Sequence, residues 1–222
     1  TLLYHGVISC CERCVTMADE STQVRILEAG KAEFLQMGYK SASLRRIARQ
    51  AGVTTGAIYG YYPDKAALFG ALVSGPASHL RDWYLSVQRE FDAFPAEDKE
   101  KQMHGYASRA LEKLIDYVYL HFDVFKLVVC CSAGTEYERY IDSLLEIEIE
   151  HTRRFIEALR GLGRQIPALD DDMSHILSSA FYYGIFETVA HDMPKDRALQ
   201  YIRTLNEFYS AGWDAILGLK SP

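Results

Sequence analysis

The spacing of apolar positions reads as helix along almost the whole chain. Leu44, Ile47, Ala48 and Ala51 fall at i, i+3, i+4 and i+7, one apolar stripe on a short helix. Gly52 ends that helix, because glycine takes the left-handed backbone without steric cost. Val53 and Ile58 bracket Thr54 as a hydrophobic staple around an N-cap, so a second helix starts within three residues. Pro63 stops it and Asp64 caps the next. Breakers at Pro95, Asp123, 132–134, 161–167 and 193–194 then predict helices near 64–91, 99–121, 123–131, 135–160, 170–192 and 194–217. Residues 145–150, LEIEIE, alternate like a strand. Ile141, Leu145, Ile149, Thr152, Ile156 and Leu159 nevertheless keep helical spacing over the longer window, and the stretch is read as helix. The fold class is therefore all-α.

The last two helices carry more apolar surface than one core needs. Residues 176–190, ILSSAFYYGIFETVA, are apolar on nearly every side and must bury more than one face. In the final helix Ile202, Leu205, Tyr209, Gly212, Trp213 and Ile216 form one stripe, and Tyr201, Phe208, Ala211 and Ala215 form another. A second copy of the helix pair is the simplest cover for the outer stripe. Phe181, Ile185, Phe208, Ala211 and Ala215 are the expected homodimer contacts.

The two short helices around Gly52 make a helix-turn-helix. The second keeps Ile58 and Tyr62 for the core and turns Thr55, Gly56, Tyr59 and Gly60 outward, a small polar face suited to a major groove. The run RRIARQAGVTTGAIYGYYPDKAALF resembles the DNA-binding motif of the TetR family of transcriptional regulators, of the AcrR-like kind, and RILEAGKAEFLQMGYKSAS resembles that family's first helix and following loop. The likeness covers Thr22 to Leu72. Tyr62 stands where phenylalanine is usual, and Arg46 where an acidic residue is common, adding a phosphate contact or merely altering an exposed face.

The resemblance implies a three-helix DNA-binding domain over 18–72 and a larger helical effector-binding and dimerisation domain over 73–222, with 1–17 as an N-terminal extension. The boundary falls inside the helix that begins at Asp64, so the expected connection is helical rather than a flexible tether. The implied function is a homodimeric, ligand-responsive repressor that binds a pseudo-palindromic duplex operator and leaves it when a small organic effector binds. Arg45, Arg49, Tyr59 and Lys65 are expected on the DNA backbone, with Ser43 on the same surface. Thr54, Thr55, Gly56 and Tyr61 are expected near bases or their flanking phosphates.

Charge distribution agrees with that division. The net charge of −6 looks wrong for a DNA-binding protein until it is split. Residues 18–75 hold seven Lys/Arg against five Asp/Glu, whereas 76–222 hold sixteen against twenty-four. Positive charge collects beside the helix-turn-helix, and the acidic remainder is held away from phosphate. No run of about 18 apolar residues suggests a membrane span, and no basic segment precedes the apolar start as in a signal peptide, so the expected location is cytoplasmic.

For the effector, residues 117–131, YVYLHFDVFKLVVCC, concentrate aromatics around one histidine. Tyr117, His121 and Phe125, with Tyr182 or Tyr183 from a facing helix, are the candidate pocket lining. An apolar or aromatic molecule, neutral or cationic, is favoured, with Asp116, Asp123 and Glu148 as carboxylates able to hold a cation. Glu148 and His151 form one E-x-x-H pair, but a di-metal bundle needs two and further carboxylates, so the pair reads as a solvated face and no metal or cofactor is expected. Cys10, Cys11 and Cys14 lack a second ligand pair, and a leader-like extension is preferred to a thiol- or metal-responsive switch. Cys130 and Cys131 sit in an apolar run as small hydrophobes. With no G-x-S-x-G, Walker loop or H-E-x-x-H, an enzyme is not expected, and a helical interaction protein would have no reason to carry a groove-reading helix.

Overall fold

The computed structural model describes residues 8–219, with side chains from Ser21 onward. Cys10, Cys11 and Cys14, for which a switch was the less favoured reading, have side chains outside the described residues. Among the described residues there is helix and turn and no strand. The helices are α1 (Ile8–Ser41), α2 (Leu44–Ala51), α3 (Thr55–Tyr61), α4 (Lys65–Asp92), α5 (Ala96–Leu120), α6 (Phe122–Lys126), α7 (Tyr140–Gly161), α8 (Asp171–Ala190) and α9 (Lys195–Leu217). None of those described is long and apolar enough to cross a membrane.

The chain packs as two compact units. Residues up to Gly75 together with Cys130–Thr135 form the first, and Pro76–Val129 with residues from Glu136 onward form the second. The division falls inside α4, immediately before Pro76, whose ring withdraws the N–H that would otherwise bond to the Leu72 carbonyl.

In the first unit Ile26 and Phe34 of α1, Ile47 of α2, Ile58 of α3 and Leu68, Phe69 and Val73 of α4 are fully buried. Phe34, Tyr39 and Phe69 form an aromatic cluster with centroids 5.1 to 6.0 Å apart. Gly52 closes α2 in the left-handed conformation, φ 67 and ψ 35, with its N–H on the Arg49 carbonyl. Thr54 caps α3, its hydroxyl accepting from the Ala57 N–H at 3.1 Å. Both ends lie where the apolar spacing put them, and α3 buries Ile58 and Tyr62 while exposing Gly56, Tyr59 and Gly60.

The start of α2 is held by a side chain of α1. Glu33 is 4% exposed, and its Oε1 accepts from the Ser43 N–H at 2.9 Å and from Arg46 Nε at 2.7 Å. Arg46 also donates to the Ser41 carbonyl at 2.8 Å. The residue that departs from the usual family pattern is thus the partner of a buried carboxylate, and the structure places it in neither of the two roles weighed from sequence.

The second unit packs α5, α7, α8 and α9 around Leu114, Ile115, Val118, Leu144, Leu145, Phe155, Leu159, Ile185, Phe186 and Ile202. Gly184 lets α8 lie close to α9, since a Cβ there would stand 3.1 Å from Leu205 Cδ2. Two lysines close helix ends. Lys126 Nζ donates to the Val189 and Ala190 carbonyls and to Asp192, and Lys99 Nζ donates to the Asp92 carbonyl. The stretch read as one helix over 123–131 is α6 followed by a π-helical turn, Leu127–Cys131, for which the sequence carries no signal. The expected helix from 135 starts instead at Tyr140. Gly134 at φ 90, and Thr135 bonded through both N and Oγ1 to the Ser132 carbonyl, hold the preceding residues in turns.

The Arg46 guanidinium bonded to it holds the Glu33 carboxyl below the usual glutamate value; burial opposes this and the Ser43 N–H adds to it. A carboxyl depressed on folding contributes stability that is complete above its unfolded value and is lost as pH falls through the folded one. Replacing Glu33 by Gln should therefore cost about 1–3 kcal/mol at neutral pH, with the difference from the native chain shrinking as acid protonates Glu33. Urea melts at a series of pH values check this; a penalty unchanged in acid would exclude the carboxylate as its source.

Candidate functional site

The surface of α3 is built from residues with little inside the protein to hold them. A Cβ added at Gly60 would meet nothing within 4 Å, and one at Gly56 would meet only Thr54 Oγ1 at 3.8 Å. Glycine in a helix costs about 0.5–1 kcal/mol relative to alanine, and no internal contact here requires it. Tyr59 stands between them 53% exposed. Arg45 and Arg49 of α2 are exposed, Thr54 is exposed, and Ser43, Thr55 and Tyr61 are half-buried. Ser43 occupies the N-cap position of α2 without a side-chain cap bond. The expected nucleic-acid residues thus surround α2 and α3, with one exception.

That exception is Lys65. Its ammonium donates to the carbonyls of Tyr39, Lys40 and Ala42 at 2.7, 3.2 and 3.2 Å and sits 4.5 Å over the Tyr39 ring. α1 ends at Ser41, so these carbonyls have no helical N–H four residues on, and the lysine serves them. The structure turns toward α1 a side chain that position alone suggested for a phosphate.

A second site lies inside the second unit, a cavity of about 160 Å³ among α4, α5, α7, α8 and α9. Phe91, Phe155, Phe181, Leu114 and Ile185 supply much of its apolar wall. Its polar corner is Glu148. Gln88 Nε2 donates to Glu148 Oε2 at 2.7 Å, Tyr182 Oη donates to it at 3.0 Å, and Tyr84 Oη also donates to that oxygen. The two phenol oxygens also touch each other; with one proton apiece, the phenols make either two bonds to Glu148 or one to Glu148 and one between themselves. Burial, reinforced by the Glu148 charge, raises both phenols well above the usual tyrosine value, so they remain protonated donors. One turn along α7, His151 is buried with Nδ1 2.7 Å from Asp92 Oδ2, a carboxylate oxygen that Arg154 also approaches at 3.3 Å. The E-x-x-H pair read as a solvated face lines a cavity instead.

A further cavity of about 240 Å³ between α5 and α9 shares Leu111 and Asn206 with the first. Asn206 Nδ2 donates across that seam to Ser108 Oγ at 3.1 Å.

Of the expected pocket residues, Tyr182 lines the cavity and the other four lie elsewhere. Tyr117 stacks on His79 at 4.9 Å and meets His121 at 4.7 Å; Phe125 is fully buried between Tyr117 and Tyr140. Tyr183 is exposed and donates to Asp142. Phe181 and Ile185, expected at a dimer interface, face the cavity, whereas Phe208, Ala211 and Ala215 are exposed along α9. Aromatic density in sequence marked the core around Phe125. The cavity's own signal was subtler: a carboxylate and a histidine three residues apart on an otherwise apolar α7 face.

Residues 26–72 match the family model for bacterial regulatory proteins of the tetR family. This stretch carries the TetR family's DNA-binding segment. The chain is 37% identical over 76 residues to the HTH-type transcriptional regulator AcrR of Shigella flexneri, covering 34% of this chain and 35% of that protein. It is 29% identical over 109 residues to the HTH-type transcriptional repressor SCO4008 of Streptomyces coelicolor, covering 49% and 48%. The matched stretches thus span between about a third and a half of those relatives. A TetR-family transcriptional regulator from Bordetella parapertussis shares the fold, with a TM-score of 0.55, 18% identity and coverage of 90% of this chain and 98% of that one. The TetR-family match ends at Leu72, before the cavity residues.

Because three carbonyls depend on one ammonium, Lys65→Met should destabilise the chain by about 1–3 kcal/mol, read as a lowered Tm. An unchanged Tm would count against the capping role.

Proposed function

We infer that this chain is a homodimeric transcriptional regulator of the TetR type that represses from a pseudo-palindromic DNA operator and is released by a small organic effector. The observation that carries the reading is the α3 surface: Gly56 and Gly60 have open space beside them in the isolated chain. Small residues at such positions let a helix come close to an outside surface, and a major groove admits one helix. Thr54, Thr55, Gly56 and Tyr61 approach base edges or flanking phosphates, while Ser43, Arg45, Arg49 and Tyr59 hold the backbone. Dimerisation through the last two helices covers the exposed stripe of Phe208, Ala211 and Ala215 on α9, with Phe208 73% exposed. Two recognition helices related by a two-fold axis then require half-sites about one turn, ~34 Å, or a multiple apart.

The cavity beside Glu148 is the effector site in this reading. An effector shifts the chain between states in proportion to its differential affinity for them, so release follows if the filled cavity favours the state with mismatched recognition helices.

Selection of duplexes from a random pool by the purified chain tests the DNA reading. A dyad-symmetric site is expected, with binding that weakens steeply in salt; retention without sequence preference would reject it. Arg45→Ala should flatten the salt dependence by about one unit without lowering Tm. Gly56→Ala should leave the free chain as stable or up to about 1 kcal/mol more stable, yet weaken binding to the selected site at least tenfold. An alanine variant that binds DNA normally would show that α3 does not approach the groove through this face.

A further inference from the structure

The cavity of the second unit holds a charge without a counter-charge. Three side chains, Tyr84, Gln88 and Tyr182, direct donors at Glu148, and all of them meet Oε2. Among the described residues none donates to Oε1. No Lys or Arg is among the described lining residues. Arg154, on the same helix, is engaged by Asp92 and Glu150. His151 presents its Nδ1 to Asp92; when that nitrogen carries the proton of a neutral ring, Nε2 is an acceptor. An anionic oxygen facing an apolar cavity is costly unless a cation or donor meets it.

The remaining wall sets the size and shape. Phe91 and Phe155 lie 6.0 Å apart, and Phe181 joins them from α8. A volume of about 160 Å³ is close to that of an apolar cavity known to accept one benzene ring.

Resting on the reading of this cavity as the effector site, we propose that it selects small monocyclic arylalkylamines in their protonated form. The ammonium bonds to Glu148 Oε1, and the ring lies against Phe91, Phe155 and Phe181. Glu148 is the specificity-determining residue, and Tyr84, Gln88 and Tyr182 position its carboxylate.

Calorimetric titration of the purified full chain, without DNA, tests this with three probes of matched shape: 2-phenylethylamine, 2-phenylethanol and phenylacetate. The amine should bind about ten- to a hundredfold more tightly than the alcohol, the gain of a charge-assisted bond, and the acid most weakly. Glu148→Gln should abolish the preference, bringing amine and alcohol within about twofold while leaving the alcohol's own affinity unchanged. If the native chain binds the alcohol or the acid as well as the amine, or binds none at millimolar concentration, the proposal is overturned, and that comparison needs no variant. An amine preference that survives in a folded Glu148→Gln chain overturns the assignment to Glu148. Retention on the selected operator, measured separately with the same amine, distinguishes the two readings. Preferential amine binding without release from DNA supports the site and rejects its role as an effector switch.

Discussion

A helix buried at its ends leaves N–H and C=O groups that must find partners, and here side chains from neighbouring segments supply them. Glu33 of α1 receives the first N–H of the α2 segment, Lys65 of α4 closes the carbonyls at the end of α1, and Thr54 caps α3 from its own turn. The same solution recurs in the second unit, where Lys99 serves the end of α4 and Lys126 the end of α8. These contacts fix helix directions with few atoms. α3 is seven residues long, too short to persist alone, and its orientation depends on the turn between Gly52 and Thr54 and on Ile58 and Tyr62 beneath it.

Local patterns made much of this legible before any coordinates. The stripe Leu44, Ile47, Ala48, Ala51, the left-handed Gly52 and the cap at Thr54 are each decided within four residues, and the helices beyond α4 follow from breakers nearby in sequence. Lys65 was not legible. Its position suggested an outward side chain, but the open carbonyls at the end of α1, far earlier in the chain, draw it inward. Arg46 is the same kind of case, because its partner Glu33 lies a helix away.

The cavity shows the limit differently. Aromatic content identifies where a chain packs, and at Tyr117, His121 and Phe125 it identifies a ring cluster with Phe125 at its buried end. A binding space needs a defect in packing, which composition does not encode. What the sequence did hold was an exception to pattern: Glu148 and His151 sit on the α7 face otherwise reserved for apolar residues, three apart. As a pair the two were read as metal ligands or a solvated face, and only Glu148 was also counted among the carboxylates able to hold a cation.

The wall between the two cavities is formed where both meet Leu111 and Asn206, with Ser108 bonded across to Asn206. If the inner cavity takes the effector, as proposed, these shared residues would make tolerance of molecular length stepwise. Each added methylene that stays within the inner cavity gains contact gradually. The first one that reaches Asn206 must break an amide–hydroxyl bond before gaining anything, after which a larger outer volume is available. In that reading the seam between α5 and α9 would be a ruler with a single graduation, set by one hydrogen bond.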